Sequence, residues 1–248
     1  MSNQSLIEIL YEDNDIFAIN KPAGIHSVGM RTNSEYTVAE LLANEFPSAR
    51  FASPTATESG LANRLDFETS GVLIAARSQE VWHLLRAEFQ EKRALKTYLA
   101  LVEGIPECPM TIAGYMGNRH RGSLRVECSD YPKKRYLFTE SELASVVGYD
   151  LNGHWSVLLI RSSSGARHQI RCHCAEAEHP LIGDTLYGSQ REIQAIVPEI
   201  NHFVLHALEL TINHPTTGQS ITISAPPPSY LQDFLTRAGT RQRNSQIR

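Results

Sequence analysis

From Asn63 to Ala76 the chain reads Asn-Arg-Leu-Asp-Phe-Glu-Thr-Ser-Gly-Val-Leu-Ile-Ala-Ala, and this stretch constrains the fold more than any other. Polar and charged residues crowd a single turn, and the run that follows, Gly71 to Ala76, carries no polar side chain. An uninterrupted apolar run of this length, ending in small residues, predicts a buried strand. Arg64 and Asp66 therefore stand at the edge of something hydrophobic, where a carboxylate keeps its charge only if it is paired or hydrogen-bonded. Two readings fit that placement: a structural ion pair closing a strand, or a reactive aspartate.

The chain of 248 residues is long enough to bury a full core. Its apolar fraction of 42% and charged fraction of 20% are those of an ordinary globular protein. No apolar run approaches the roughly 20 residues that span a bilayer, and Met1 to Ser5 lacks the cationic and apolar regions of a secretory signal. The four cysteines (Cys108, Cys128, Cys172, Cys174) show no framework spacing, which predicts free thiols and a cytoplasmic location. A formal net charge of −4 exerts no overall pull on nucleic acid. RNA binding would need basic residues gathered on one face, and four groups are available: Lys92, Arg93 and Lys96; Arg119, Arg121 and Arg125; Lys133 to Arg135; and Arg161, Arg167 and Arg171.

Read in order, Leu6–Tyr11 and Asp15–Lys21 predict two strands joined by the turn residues Glu12-Asp13-Asn14, and Lys21-Pro22-Ala23-Gly24 stops the second. Thr37-Val38-Ala39-Glu40 is a capping box before Leu41, Leu42 and Phe46. Ser78 caps a helix with Val81, Leu84, Leu85 and Phe89 on its apolar face, and Lys96–Gly104 predicts a strand. The stretch from about Glu107 to Gly148 is the least legible. Arg135–Thr139, Ser156–Ile160, Asn201–Ile212 and Ser220–Ser224 predict strands, with a turn at Ser162–Gly165 and a helix running on through Ala177. Strands outnumber helices without βαβ alternation, so the expected fold is α+β, a single domain over residues 1–235 around a mixed, largely antiparallel sheet. Residues 236–248, basic and without an acid, form the expected tail.

Arg167-His168-Gln169-Ile170-Arg171 carries more hydrogen-bonding power than a surface helix needs. On a helix Arg167 and Arg171 share a face, and two neighbouring guanidinium groups call for an anion, either a phosphate or a carboxylate such as Asp66. An exposed basic face is the alternative. Cys172, His173, Cys174 and His179 do not make a zinc site, because ligands at such spacing cannot all turn to one ion on a helix. Gly-x-Ser-x-Gly and phosphate-cradling glycine loops are absent from the sequence.

Six stretches in this order resemble the RluA-type family of pseudouridine synthases. They are Ile16–Gly24, Arg64–Asp66 with Thr69–Gly71, Lys96–Tyr98 through Val102–Gly104, His168–Arg171, His179–Asp184 with Leu186–Gly188, and Leu205–Ala207 with His214-Pro215. The likeness runs from about Leu6 to Tyr230. It implies an enzyme that isomerises uridine in tRNA or rRNA by breaking the N-glycosidic bond and rejoining the base through carbon 5. Asp66 matches the family's aspartate nucleophile, attacking either carbon 6 of the base or the anomeric carbon. Tyr98 matches the active-site tyrosine, and Arg171 the arginine that keeps the aspartate ionised. Asn63, Arg64, Arg167, His168 and Gln169 are the expected substrate contacts, gripping flanking phosphates while the base is flipped into the pocket. The chemistry is redox-neutral, so no metal or organic cofactor is implied. A monomer without an S4-type RNA-binding domain and without a membrane partner is the expectation.

Two positions depart from the family pattern: Asn63 stands where a histidine usually precedes Arg-Leu-Asp, and Ala166 stands where an arginine usually follows the glycine. These departures support an alternative, an RNA-binding protein of the same fold that has lost catalysis. A glycosidase using Asp66 and Glu68 is a weaker alternative, since their spacing does not assure two carboxylates flanking one bond.

Overall fold

The computed structural model describes residues 7–29, 36–232 and 234–235. The expected basic tail lies outside the described residues. The chain divides into two compact units, Met1–Lys96 with Ala207–Pro226, and Thr97–His206 with Pro227–Arg248.

In the first unit, β1 (Glu8–Glu12), β2 (Ile16–Lys21) and β3 (Ser70–Ala76) pair antiparallel in that order, with β9 (Leu205–Asn213) beside β3 and β10 (Ser220–Ser224) antiparallel to β9. All seven residues of β3 are buried. Val72, Ile74 and Ala76 face a cluster holding Val81 and Leu85 of helix α2 (Gln79–Gln90), whereas Leu73 and Ala75 face Val38, Ala39 and Leu42 of helix α1 (Val38–Glu45). A strand covered on both faces has no reason to alternate, which is why its sequence is a continuous apolar run. Both helices begin where their caps foretell. Thr37 and Glu40 close a reciprocal capping box, and Ser78 Oγ accepts from Val81 N. On α2 the predicted face holds at Val81, Leu85 and Phe89, which pack into this cluster, while Leu84 is 44% exposed and Trp82 packs there as well. Gly71 sits at φ +110°, where a Cβ would stand 2.2 Å from the Ala207 carbonyl oxygen. Only glycine lets β9 approach so closely.

The second unit orders β4 (Leu95–Glu103), β8 (Trp155–Ser162), β7 (Leu137–Tyr149), β5 (Met110–Asn118) and β6 (Val126–Ser129), with antiparallel pairs β7–β8, β5–β7 and β5–β6. Helix α3 (Gln169–Glu176) contributes Ile170 and Cys174 to a core with Ala100, Val102, Leu143, Leu158, Ile160 and Phe203. The illegible stretch thus contains β5, β6 and most of β7. The strand predicted at Arg135–Thr139 is the beginning of β7, which starts at Leu137 and runs on to Tyr149 past two buried polar positions, Thr139 and Ser141. They serve the helix above them through a hydrogen-bond chain and not through apolar contact.

Candidate active site

In the first unit the loop bearing Asp66 is tied down at Leu65, Phe67 and Thr69. Ser27 Oγ donates to Leu65 O (2.8 Å) and accepts from Leu65 N (3.0 Å), and Gly24 N donates to Phe67 O (2.9 Å). Beneath the loop lies Lys21, which is fully buried. Its Nζ donates to Pro22 O (2.9 Å), Phe67 O (3.1 Å) and Thr69 O (2.7 Å). Burial pulls this ammonium down from 10.5 to about 7, and the negative charge of Asp66 works against that fall. The buried Lys21 side chain, bonded to three carbonyls at the base of the loop, fixes the path of the backbone that carries Asp66. Asp66 is half-buried, Arg64 is exposed, and the Phe67 ring packs on His26 at 4.6 Å. Asn63 faces inward, its Oδ1 accepting from Ile74 N at 3.0 Å, so here it braces β3 against the loop.

Tyr98 and Arg171 lie in the second unit. Tyr98, on β4, is half-buried and packs against the core that includes Ile170 and Phe203. Arg171 is 7% exposed and clasps Asp184, Nε to Oδ2 at 2.6 Å and Nη2 to Oδ1 at 2.9 Å. Its guanidinium also lies 4.4 Å from the Phe203 ring and 5.2 Å from that of Tyr187. Such bidentate, aromatic-flanked holding sets the plane of the cation, which a lysine could not provide.

The expected helical pairing of Arg167 with Arg171 does not form. His168 adopts a left-handed conformation (φ +54°) as the N-terminal cap of α3, so Arg167 falls outside the helix. Its Nη2 donates to Leu124 O (2.6 Å), Ser123 O (2.8 Å) and Asn118 Oδ1 (3.2 Å) instead. His168 Nδ1 lies 3.1 Å from the Tyr187 hydroxyl, which accepts from Val126 N at 3.0 Å. Ala166 packs against the small apolar cluster of Met116, Val126, Cys172 and Tyr187.

Gln169 is 5% exposed and its amide is engaged inside the protein. Nε2 lies 2.8–2.9 Å from Glu140 O, Ser141 Oγ, Ser162 Oγ and Ser164 Oγ, and Oε1 accepts from Ala166 N at 3.1 Å. From Ser141 a hydrogen-bond chain runs to His173 Nδ1 (2.9 Å), from His173 Nε2 to Thr139 Oγ1 (3.1 Å), and from Thr139 to Gly114 O (3.1 Å). With the Thr139 hydroxyl donating to a carbonyl, the imidazole must donate from Nε2 and accept at Nδ1, the neutral form. Burial agrees, holding His173 down at about 4. Gln169 and His173 thus anchor α3, and Gln169 is better placed to position Arg171 than to touch substrate.

Asp13, Asp15 and His214 bring three potential ligand atoms within 4.8 Å of one another. Asp13 Oδ1 accepts from Asp15 N and Ile16 N, and Oδ2 meets the Tyr11 hydroxyl and His214 Nε2. His214 Nδ1 accepts from Thr216 N and Thr217 N, so Nε2 keeps its proton and donates. The cluster is a turn brace.

Sequence reasoning missed three residues that hold the expected site residues within each unit: Lys21 under the Asp66 loop in the first, and Asp184 and Tyr187 beside Arg171 in the second. For Lys21 a signal was present, a lysine at the end of the apolar strand Ile16-Phe-Ala-Ile. Asp184 and Tyr187 gave none beyond their place in His179–Asp184 and Leu186–Gly188.

The α+β fold with its mixed, largely antiparallel sheet is that of a class of RNA-modifying isomerases. The chain belongs to the RNA pseudouridylate synthase family, whose model matches residues 15–176. It is 29% identical over 244 residues to tRNA pseudouridine synthase C of Yersinia pestis, covering 94% of this chain and 91% of that protein. It is 30% identical over 223 residues to the dual-specificity RNA pseudouridine synthase RluA of Escherichia coli K12, covering 88% and 92%. Among solved structures it is similar to human RNA pseudouridylate synthase domain containing 1, with a TM-score of 0.68 and 26% identity over 92% of this chain and 86% of that one. No helix among the described residues is long and apolar enough to cross a membrane.

Proposed function

We propose that this isomerase converts a uridine in structured tRNA or rRNA to pseudouridine, with Asp66 as the nucleophile. The observation that carries the reading is the Asp66 loop, pinned by Ser27 and Gly24 and underlain by the buried Lys21. Preorganisation of this kind lowers the cost of presenting a carboxylate to a reacting carbon. Attack falls on carbon 6 of the base or on the anomeric carbon; the bond from N1 to the anomeric carbon breaks, the base turns, carbon 5 bonds to the anomeric carbon, the carboxylate is expelled, and the proton lost from carbon 5 is balanced by one taken up at N1. Tyr98 stacks on the uracil and assists removal of the proton from carbon 5. Arg171, aimed by Asp184, is the cation assigned to the ionised aspartate. Arg64, exposed at the mouth of the loop, takes a phosphate. In this reading the enzyme works in the cytoplasm as a monomer, on RNA alone.

The test is pseudouridine mapping on unmodified tRNA and rRNA transcripts incubated with wild type or D66A. Wild type should convert one or a few uridines, and D66A should convert none while binding the same RNA. Equal conversion by D66A would remove Asp66 from the chemistry, and RNA binding without conversion by wild type would favour the non-catalytic alternative.

A further inference from the structure

Residues 118–137 run from the end of β5 through β6 to the start of β7. They hold Arg119, Arg121, Arg125, Lys133, Lys134 and Arg135 against Glu127 and Asp130, a net charge of +4 in a chain whose total is −4. The remainder of the chain therefore carries −8. All six basic residues are exposed, and one of the two acids is already engaged, since Glu127 Oε1 accepts from Lys133 Nζ (2.8 Å) and the Tyr136 hydroxyl (2.7 Å). Among these charges stand apolar side chains turned to solvent: Leu124 and Tyr131 are each 76% exposed, and Leu137 is 64% exposed. A merely solvated hairpin mixes its signs and hides its aromatics.

The hairpin is also stiffened from behind. Arg167 takes the carbonyls of Ser123 and Leu124 and the side chain of Asn118 with a single nitrogen. The Tyr187 hydroxyl accepts from Val126 N, and the Tyr187 ring lies 5.1 Å from the guanidinium of Arg125 and 5.2 Å from that of Arg171. The arm is thereby coupled to the helix that carries Arg171.

We propose that this arm grips RNA beside the target uridine: Arg119, Arg121 and Arg125 take backbone phosphates, Tyr131 stacks on an unpaired base, and Arg167 is a positioning residue. The assignment rests on the RNA-substrate reading above and deepens it. It also answers how an acidic chain holds a polyanion, by concentrating its positive charge on one element. Arg167, spent on carbonyls, shapes the arm instead of neutralising phosphate.

The test is fluorescence anisotropy of a short fluorescein-labelled RNA stem-loop, titrated at several salt concentrations. Each lost phosphate contact lowers the slope of log K against log salt by about 0.7–0.9. R119Q/R121Q/R125Q, all at exposed positions, should therefore reduce the slope by about 2–3 and weaken binding about 10- to 100-fold at low salt. Y131A should weaken binding about 10-fold with the slope unchanged, since stacking releases no counterion. R167A should weaken binding at an unchanged slope, and a fall in slope of about one would overturn its positioning role. A triple variant that keeps its circular dichroism spectrum, affinity and slope overturns the arm assignment. So does competition by polyglutamate as strong as by unlabelled stem-loop, which would point to an acidic protein instead. Wild-type conversion on transcripts, measured in parallel, separates the two failures. Conversion with an indifferent arm sinks only this inference, and no conversion on any RNA sinks the proposed function.

Discussion

Asp184→Asn keeps the shape of the side chain, removes its charge and turns an amide NH2 toward one of the two nitrogens that Arg171 now donates from. The Arg171 and Asp184 side chains are 8% and 1% exposed, and the Phe203 and Tyr187 rings flank the guanidinium at 4.4 and 5.2 Å. The cation cannot reach water without dismantling that packing. Breaking one side of a buried ion pair costs about 3–5 kcal/mol, most of it the uncompensated charge left behind. For a chain of this size each kcal/mol shifts the melting temperature by about 2–4 °C, so D184N should melt about 10 °C below wild type. Calorimetric melts of D184N should be accompanied by a cycle of R171M, D184L and R171M/D184L. Each single variant should lose several kcal/mol, and the double variant should recover most of it, because an apolar replacement of both partners leaves no buried charge. If D184N melts within a degree or two of wild type, or the single losses simply add in the double variant, the pair is not what holds Arg171.

Gly71→Ala should cost at least about 3 kcal/mol, from a left-handed backbone compounded by a Cβ 2.2 Å from Ala207 O, and thermal melts check it; a drop below about 1 kcal/mol would mean that β3 and β9 separate easily. His173 titrates near 4 in the fold against 6.5 when free, so between those values only the unfolded chain takes the proton and stability falls with falling pH. The loss approaches about 3 kcal/mol by pH 4, and denaturant melts of H173Q should lack it; parallel wild-type and variant curves across that window would refute the neutral, buried imidazole.

The pieces legible in the sequence were those whose cause is local. Capping at Thr37 and Ser78 is a contact between residues three apart, the continuous apolar run of β3 reports burial on two faces, and Gly24 marks a turn at positive φ. Asp66 drew attention because a charge beside such a run is costly wherever the chain goes. The predicted strand at Arg135–Thr139 stopped short of the full length of β7 because its inward side chains, Thr139 and Ser141, answer to a histidine more than thirty residues away, and no periodicity records that demand.

Arg167 and Arg171 divide the two kinds of information most plainly. Composition and order alone marked a charged segment next to a glycine turn, either an anion site or an exposed basic face, together with the family likeness that gives Asp66, Tyr98 and Arg171 their expected roles. Their partners came only with the tertiary structure. A left-handed His168 turned Arg167 out of the helix to the carbonyls of a distant hairpin, and Asp184, thirteen residues on, closed around Arg171. Residue type sets which bonds a side chain can make, whereas the choice among available partners depends on which backbone atoms the fold brings within 3 Å. For a long, multiply donating arginine, many partners satisfy the same chemistry. The same holds for Lys21: the sequence placed a lysine at the end of an apolar strand, and the fold supplied the three carbonyls that make it the floor of the Asp66 loop.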